Sequence, residues 1–257
     1  MQITNEKHND NFIQGKHRIL EINRESAKFF HNYMMTYSGK SGLDFWNNRN
    51  ITENTINYFS LGYAPSTGDA LLKHLKEKGF EISEMLEAGV IRKEENNNYY
   101  DIFRNRVIIP IFDVKGDIVA FGGRVIDKRF PIYINTAETI VYKKSNELFA
   151  LNLAKKSNEK SLILCEGYMD VITMYQAVIT NAVATCGVNL TQEQVKLINK
   201  YADEVIIAYA TDNAGQRGIE KTVEFFKQTD IKIKIPKLTG GKDPEEIIRF
   251  LGINKFM

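Results

Sequence analysis

The C-terminal hundred residues alternate short apolar runs with amphipathic segments. The apolar runs SLILC, NAVAT, EVIIAYA and IKIKIPKL are typical of buried strands, and the segments between them carry apolar residues at helical spacing. Near-continuous apolar strands that alternate with helices predict a parallel sheet covered by helices on both faces. We therefore predict an α/β domain over residues 158–257.

The first part of the chain follows a different pattern. Helical spacing predicts a helix from Ile19 to about Tyr37, with shorter helices near 42–47, 53–60, 69–78 and 83–87. After Asn98 the segments RVIIPIF, KGDIVAFGGRVI and FPIYIN are rich in β-formers and are separated by turn residues, which predicts a small antiparallel or mixed sheet. Residues 17–157 are thus predicted to form a mixed α+β subdomain. The polar residues 1–15 are predicted to be frayed.

Composition narrows the class of protein. Hydrophobic residues make up 43% and charged residues 26%, as in ordinary soluble proteins. No apolar run approaches the roughly 18 residues that a membrane span needs, and the N-terminus lacks a signal peptide, so we expect a cytoplasmic protein with no membrane partner. The two cysteines are not in a C-x-x-C arrangement, and all four histidines lie in the first third. Chemistry in the C-terminal domain must therefore depend on carboxylates and cations.

Acidic residues follow three of the predicted strands. Glu166 comes directly after SLILC with Asp170 one turn later, Asp212 follows EVIIAYA, and Asp243 and Glu245 follow IKIKIPKL. Ligands of open α/β sheets bind beyond the carboxyl ends of the strands, so we expect these carboxylates to share one edge. Oxygen ligands without His or Cys favour Mg²⁺ or Mn²⁺. Any one of these residues could instead be a helix N-cap in a solvated loop.

Several motifs resemble one known family. The segment EGYMDVI is followed by a strand that ends in the loop Asp212-Asn213-Ala214-Gly215. This combination resembles the Toprim domain shared by DnaG-type DNA primases, topoisomerases and some nucleases. The Tyr-Met-Asp form of the first segment is the primase form. Upstream, FRNRVIIPI, GDIVAFGGRV and YKKSNELFAL resemble the N-terminal subdomain of the primase polymerase core. The segment ITENTINYFSLGYAP resembles the helical entry of that core. The resemblance extends from about residue 17 to the end.

The resemblance implies a DNA primase catalytic core. Such a core synthesises short RNA primers for replication from ribonucleoside triphosphates on a single-stranded DNA template, and its product is an RNA–DNA hybrid. It implies catalytic roles for Glu166, Asp170, Asp212, Asp243 and Glu245. Glu166, Asp212 and Asp243 would hold two Mg²⁺ or Mn²⁺ ions. The family's zinc-binding and helicase-binding regions have no counterpart in this sequence, so no zinc is expected.

Basic residues are in excess upstream of the Toprim-like segment. Residues 101–160 contain eleven Lys or Arg against seven Asp or Glu. Arginine can bind phosphate through two hydrogen bonds, and aromatic rings can stack on the bases of a single strand. The resemblance places template and nucleotide contacts on this basic ridge. The predicted binding residues are Arg104, Arg106, Arg124, Tyr133, Lys143 and Lys144.

Five positions depart from the family pattern, among them Cys186 and Val188. Ala210 stands where the family has the first aspartate of a D-x-D motif, Ile132 where it has a lysine, and Val178 where a glycine usually closes the first Toprim helix. Two alternatives to an active primase therefore stay open. One is a catalytically impaired primase-like module that binds nucleic acid or nucleotides. The other is a fragment of a Toprim nuclease or topoisomerase.

Overall fold

The computed structural model describes residues 2–127, 130–187 and 189–256. Its α-helices are α1 (Gln2–Met34), α2 (Lys40–Asn47), α3 (Glu53–Tyr58), α4 (Ala70–Glu77), α5 (Ile82–Glu87), α6 (Leu151–Ala154), α7 (Tyr168–Gln176), α8 (Gln192–Tyr201), α9 (Asn213–Phe226) and α10 (Pro244–Leu251). Its strands are β1 (Gly62–Ala64), β2 (Ile91–Lys93), β3 (Tyr99–Asp101), β4 (Arg106–Phe112), β5 (Ile118–Val125), β6 (Tyr133–Asn135), β7 (Leu148–Phe149), β8 (Ser161–Cys165), β9 (Ala182–Thr185), β10 (Glu204–Ile207) and β11 (Lys232–Lys234). Within the described ranges, none of the helices combines the length and apolar character needed to cross a membrane.

The chain divides into two compact units. The first comprises the chain up to Asn48, Ile56–Ile111 and Asp117–Lys143. The second comprises Arg49–Thr55, Phe112–Gly116 and the chain from Lys144 on. The second unit thus takes two short pieces from the earlier part of the sequence. The domain boundary between residues 157 and 158 stays a prediction, because compactness alone does not decide where a domain ends.

The first unit is built on a four-stranded sheet in the order β1-β4-β5-β6. Helix α1 packs against β1 and β5. Its Phe30 meets Phe103 and Phe121 edge to face, with ring centroids 6.4 and 5.8 Å away. Such aromatic packing buries a large apolar area, and it places the core of this unit between the long helix and the sheet.

The second unit is built on a five-stranded sheet in the order β11-β10-β8-β9-β7. Strands β8, β9, β10 and β11 pair in parallel, and β7 pairs with β9 antiparallel. Helix α7 packs against α10, and α8 against α9. Right-handed crossovers place these two pairs on opposite faces of the sheet. The predicted fold class, a parallel sheet with helices on both faces, is confirmed.

Three elements differ from the predictions. Helix α1 begins at Gln2, so it also includes residues 2–15, which were predicted to be frayed. Adding turns to an existing helix costs less than starting one, so a polar segment can extend a helix that begins in a buried region. Strand β1 lies between the helices predicted near 53–60 and 69–78, where no strand was predicted, and its three residues pair with β4. Helix α10 was not predicted, although Asp243-Pro244 is a recognisable N-cap and first helical residue.

Val178 ends helix α7 in a conformation that favours glycine. Its φ is +68°, and the Ile179 amide donates to the Met174 carbonyl at 2.9 Å, as in a glycine-terminated helix. A β-branched residue is strained in the left-handed region because its Cβ approaches the following carbonyl oxygen. The helix thus ends as a glycine-terminated helix does, although residue 178 is valine.

We expect Val178→Gly to raise the free energy of unfolding by about 1 kcal/mol, because relief of left-handed strain outweighs the extra entropy of glycine in the unfolded chain. Chemical denaturation would measure the change. The matched control is Thr180→Gly, an exposed position without positive φ, where we expect a loss of about 0.5–1 kcal/mol. A loss of stability at both positions would contradict the prediction.

Candidate active site

Three acidic loops meet at the carboxyl edge of the parallel sheet. Glu166 follows β8, Asp212 is the N-cap of α9, and Asp243 is the N-cap of α10. The loops of the two aspartates are tied together, since the Thr211 amide donates to the Lys242 carbonyl at 2.7 Å. The sheet therefore brings the predicted residues to one edge through its topology.

The Glu166 carboxylate lies against the loop that follows β10. Its Oε2 accepts a hydrogen bond from the Ala210 amide at 3.2 Å, and its Oε1 faces Gly218 of α9. Although Glu166 is exposed as a residue, partial burial of its carboxyl group raises its pKa, and the charges of Asp212 and Asp243 raise that pKa further. The three carboxylates thus affect one another electrostatically.

Asp212 and Asp243 each cap a helix with one oxygen. Asp212 Oδ1 accepts from the amides of Ala214 and Gly215 at 2.9 and 2.8 Å. Asp243 Oδ1 accepts from the Glu246 amide at 2.9 Å. Among the residues that the structure describes, none donates to Oδ2 of either aspartate. Both side chains therefore act as N-caps and keep a second oxygen that can face a cation.

Asp170 is buried in the first turn of α7. Its two oxygens accept from the Gly167 amide at 3.2 Å and from the Glu245 amide at 3.1 Å. Burial raises the pKa of Asp170 to about 8, and the neighbouring charge of Asp243 contributes to the rise. Asp170 therefore links the beginning of α7 to the beginning of α10 rather than facing solvent.

The donor atoms suit a hard divalent cation, but the set is incomplete. All are carboxylate oxygens, the ligands that Mg²⁺ and Mn²⁺ prefer. As the side chains stand in the described ranges, no three His, Cys, Asp or Glu residues form a group that could hold a metal ion. The Ala210 amide contacts Glu166, so a side chain at 210 begins next to that carboxylate. A methyl group at this position cannot bind a cation.

The backbone of this loop is packed tightly around residue 210. A Cβ atom added to Gly215 would lie 2.0 Å from the Ala210 carbonyl oxygen, so the start of α9 can approach the loop only with glycine at 215. The close approach fixes Ala210 relative to the Asp212 cap. The loop therefore has a defined backbone even though the carboxylate expected at 210 is missing.

A pocket of about 680 Å³ opens beside Glu166. Its lining also includes Tyr209, Thr185, Thr191, Lys221 and Phe225. Thr222 Oγ1 donates to the Tyr209 hydroxyl at 3.1 Å, and burial raises the pKa of Tyr209 to about 12. Sequence reasoning missed this pocket, because its lining comes from three strand ends and one helix with no shared motif.

Glu245 has a different setting from the other predicted catalytic carboxylates. Its Oε1 accepts from Arg49 and from Arg249, and its side chain is largely buried. Arg49 was missed by the sequence analysis, where nothing distinguishes it from other basic residues. The structure thus surrounds Glu245 with positive charge.

Arg106, predicted to bind nucleic acid, is buried in the first unit. Its guanidinium group donates to three backbone carbonyls, those of Gly123, Pro131 and Ile132, at 3.0 to 3.1 Å. Arg106 thus connects β5 to the segment that precedes β6, and its predicted contact with nucleic acid stays a prediction.

Arg124 lies between two aromatic rings. Its guanidinium carbon is 5.4 Å from the ring centroids of both Phe45 and Tyr133, within cation–π range. Arg104 is exposed and lies 4.8 Å from the Tyr100 ring. Of the remaining predicted cations, Lys143 is exposed and Lys144 is partly exposed.

Comparison with known proteins gives consistent results over nearly the whole chain. Residues 29–155 match the family described as DNA primase catalytic core, N-terminal domain, and residues 163–248 match the family described as Toprim-like. The DNA primase of Clostridium acetobutylicum is 40% identical over 241 residues, which cover 93% of this chain and 40% of that protein. The chain thus spans about 40% of the length of the curated relatives it matches.

Solved structures agree with these sequence matches. A DNA primase domain from Pseudomonas aeruginosa is 32% identical with a TM-score of 0.86, and the match covers 93% of this chain and 76% of that one. A DnaG primase catalytic domain bound to ssDNA is 28% identical with a TM-score of 0.86, and the match covers 95% and 80%. On its sequence, its fold and the carboxylates at its sheet edge, this chain belongs to the DnaG-type DNA primase family and carries that family's catalytic core.

Proposed function

We propose that this chain is the catalytic core of an enzyme that synthesises short RNA primers on single-stranded DNA. It would join ribonucleotides by nucleotidyl transfer and release pyrophosphate, leaving an RNA–DNA hybrid. The observation that carries the proposal is the meeting of Glu166, Asp212 and Asp243 at one sheet edge in a chain of the primase family. The solved relative bound to ssDNA supports the class of template.

Glu166, Asp212 and Asp243 would hold the divalent cations, Mg²⁺ or Mn²⁺. When bound, two such ions activate the attacking 3′-hydroxyl and neutralise charge on the α-phosphate and the pyrophosphate. The protein's own part is to keep the three carboxylates in place. Backbone amides at the starts of α9 and α10 hold the two aspartates, and Asp170 joins α7 to α10.

Cationic and aromatic side chains would bind the polyanionic template and the incoming nucleotide. We assign this role to Arg104, Arg124, Tyr133, Lys143 and Lys144. Arg106 supports these residues structurally, because it donates hydrogen bonds to the carbonyls of Pro131 and Ile132, which precede Tyr133. We further propose that the protein acts in the cytoplasm and that its two domains span residues 17–157 and 158–257.

One alternative function rests on a specific observation. Ala210, whose amide donates to Glu166, has a methyl group where a carboxylate is expected, which favours a catalytically impaired module that binds nucleic acid or nucleotides. The match of residues 29–155 to the primase N-terminal domain argues against a nuclease or topoisomerase fragment. Restoring the carboxylate distinguishes the two cases. A gain in primer synthesis indicates an impaired primase, and no gain indicates a module whose catalytic site has been lost.

We expect Ala210→Asp to raise Mn²⁺ affinity and primer synthesis together. A carboxylate beside a divalent ion contributes more than about 1.4 kcal/mol even at a partly solvated site, which corresponds to roughly a tenfold or larger gain in affinity. Calorimetric titration with Mn²⁺ and primer synthesis on single-stranded DNA measure the two effects. The unmodified chain should show weak binding and very low synthesis.

Two variants control for this change. Ala210→Asn adds a side chain of the same shape without the charge, and Asn213→Asp adds the same charge at the exposed first residue of α9. Neither should reproduce the gain in affinity and synthesis. If the unmodified chain makes primers as well as Ala210→Asp, the remaining carboxylates suffice and our assignment of residue 210 is incorrect.

We expect single-stranded DNA binding to weaken steeply with salt, and to weaken less steeply in the double variant Arg124→Ala/Lys144→Ala. Each phosphate contact to a single strand contributes about 0.7 to the slope of log K against log salt, so losing two contacts should reduce the slope by roughly 1.4. Fluorescence anisotropy at several salt concentrations measures this slope.

The matched control removes the same charge elsewhere. Lys40 and Lys227 are exposed and pair with carboxylates on their own helices, so Lys40→Ala/Lys227→Ala keeps the net charge equal to that of the test variant. An equal loss in both double variants would show a general charge effect and would overturn the assignment of Arg124 and Lys144.

A further inference from the structure

Two arginines enclose the Glu245 carboxylate. Arg49 Nη1 and Arg249 Nη1 both donate to Glu245 Oε1, the latter at 3.4 Å. The side chains are largely buried, with 20% of Arg49, 22% of Arg249 and 14% of Glu245 exposed. Arg49 lies 196 positions from Glu245 in sequence, so this pair is a tertiary contact. A carboxylate held in this way is charge-compensated by protein and is less suited to binding a cation.

The segment that carries Arg49 is itself anchored to helix α7. Gln176 Oε1 accepts from the Thr52 amide at 2.8 Å and from Thr55 Oγ1 at 3.0 Å. Gln176 Nε2 donates to the Asn50 carbonyl at 2.7 Å. Three hydrogen bonds to one side chain fix the backbone next to Arg49. Arg49 is therefore presented to Glu245 from a rigid support.

Glu245 is in turn connected to the acidic edge. Its amide donates to Asp170 Oδ1, and it lies two residues after Asp243 in the first turn of α10. A displacement of Glu245 would move its own amide, which donates to Asp170. It would also move the first turn of α10, which begins after Asp243. The contacts thus run from Arg49 through Glu245 to two of the carboxylates beside Glu166.

We propose that Arg49 is a positioning residue for nucleotidyl transfer, which holds Glu245 as a support for Asp170 and Asp243. This inference rests on the proposed function only for its consequence in catalysis. Without Arg49, the largely buried Glu245 would keep the longer contact to Arg249 as its one ion pair among the described residues, and an undercompensated buried carboxylate moves toward water. The first turn of α10 would move with it, and Asp243 would lose its place.

The test uses Mn²⁺ binding, measured by calorimetry in the Ala210→Asp background. Loss of a partner that orients metal-binding residues typically costs about 10- to 100-fold in affinity, so Arg49→Met should weaken Mn²⁺ binding at least about tenfold. Simple electrostatics predicts the opposite, because removal of a positive charge near a cation site tightens binding. Unchanged or tighter binding in Arg49→Met would overturn the proposal.

A second variant tests the connection through Glu245. In Arg49→Met/Glu245→Gln the neutral amide needs no compensating charge and can still bond Arg249, so we expect most of the lost Mn²⁺ affinity to return. If the double variant binds Mn²⁺ no better than Arg49→Met, then Arg49 does not act through Glu245.

Arg18→Met is the matched control. It also removes one positive charge and breaks an Arg–Glu pair, that with Glu84 at 2.7 Å in the first unit. It should lower thermal stability while leaving Mn²⁺ affinity unchanged. A loss of affinity equal to that of Arg49→Met would assign the effect to stability alone and overturn the proposal.

Primer synthesis by the same variants separates this inference from the proposed function. If Arg49 is a positioning residue, Arg49→Met should lower kcat with little change in the KM for nucleotide. The double variant Arg49→Met/Glu245→Gln should recover kcat. If no variant makes primers while the Mn²⁺ affinities follow the expected pattern, the proposed function fails and the positioning role stands.

Discussion

Repulsion among carboxylates at one sheet edge is the constraint on which the site depends. Burial and the charges of Asp212 and Asp243 raise the pKa of Glu166, and burial and the charge of Asp243 raise the pKa of Asp170. The fold offsets the repulsion with backbone amides, since each of the four carboxylates accepts at least one. Amides at helix N-termini carry partial positive charge and suit this purpose. The amides partly offset the repulsion, and a divalent cation would relieve the repulsion that remains.

Two of the positions that were expected to depart from the family pattern, Val178 and Ala210, both lie in backbone with a defined geometry. Val178 keeps the left-handed helix ending that glycine usually supplies, and Ala210 keeps the close contact with Gly215. Backbone geometry depends on packing across the whole sheet, whereas ligand chemistry depends on one side chain. A methyl group at residue 210 therefore leaves the backbone of the loop defined but adds no oxygen that could bind a cation.

Arginines of the two units differ in role because of what surrounds them. Arg106 meets backbone carbonyls in a buried setting, Arg124 meets two aromatic rings, and Arg49 meets a carboxylate next to the acidic edge. A buried guanidinium group must have its donors satisfied, and whichever acceptors lie around it decide its function. Basic composition alone predicted an excess of charge and could not distinguish these three cases.

The sequence by itself determined the parallel sheet, the order of its motifs and the acidic residues after three strands. These follow from local periodicity and from the rule that parallel strands present their carboxyl ends at one edge. Tertiary structure decided the rest: the burial of Asp170, the pairing of Arg49 with Glu245 and the burial of Arg106. Each of these three features depends on residues that are distant in sequence. The cost of desolvating a charge depends on the packing of the folded chain, so a local sequence pattern cannot predict it.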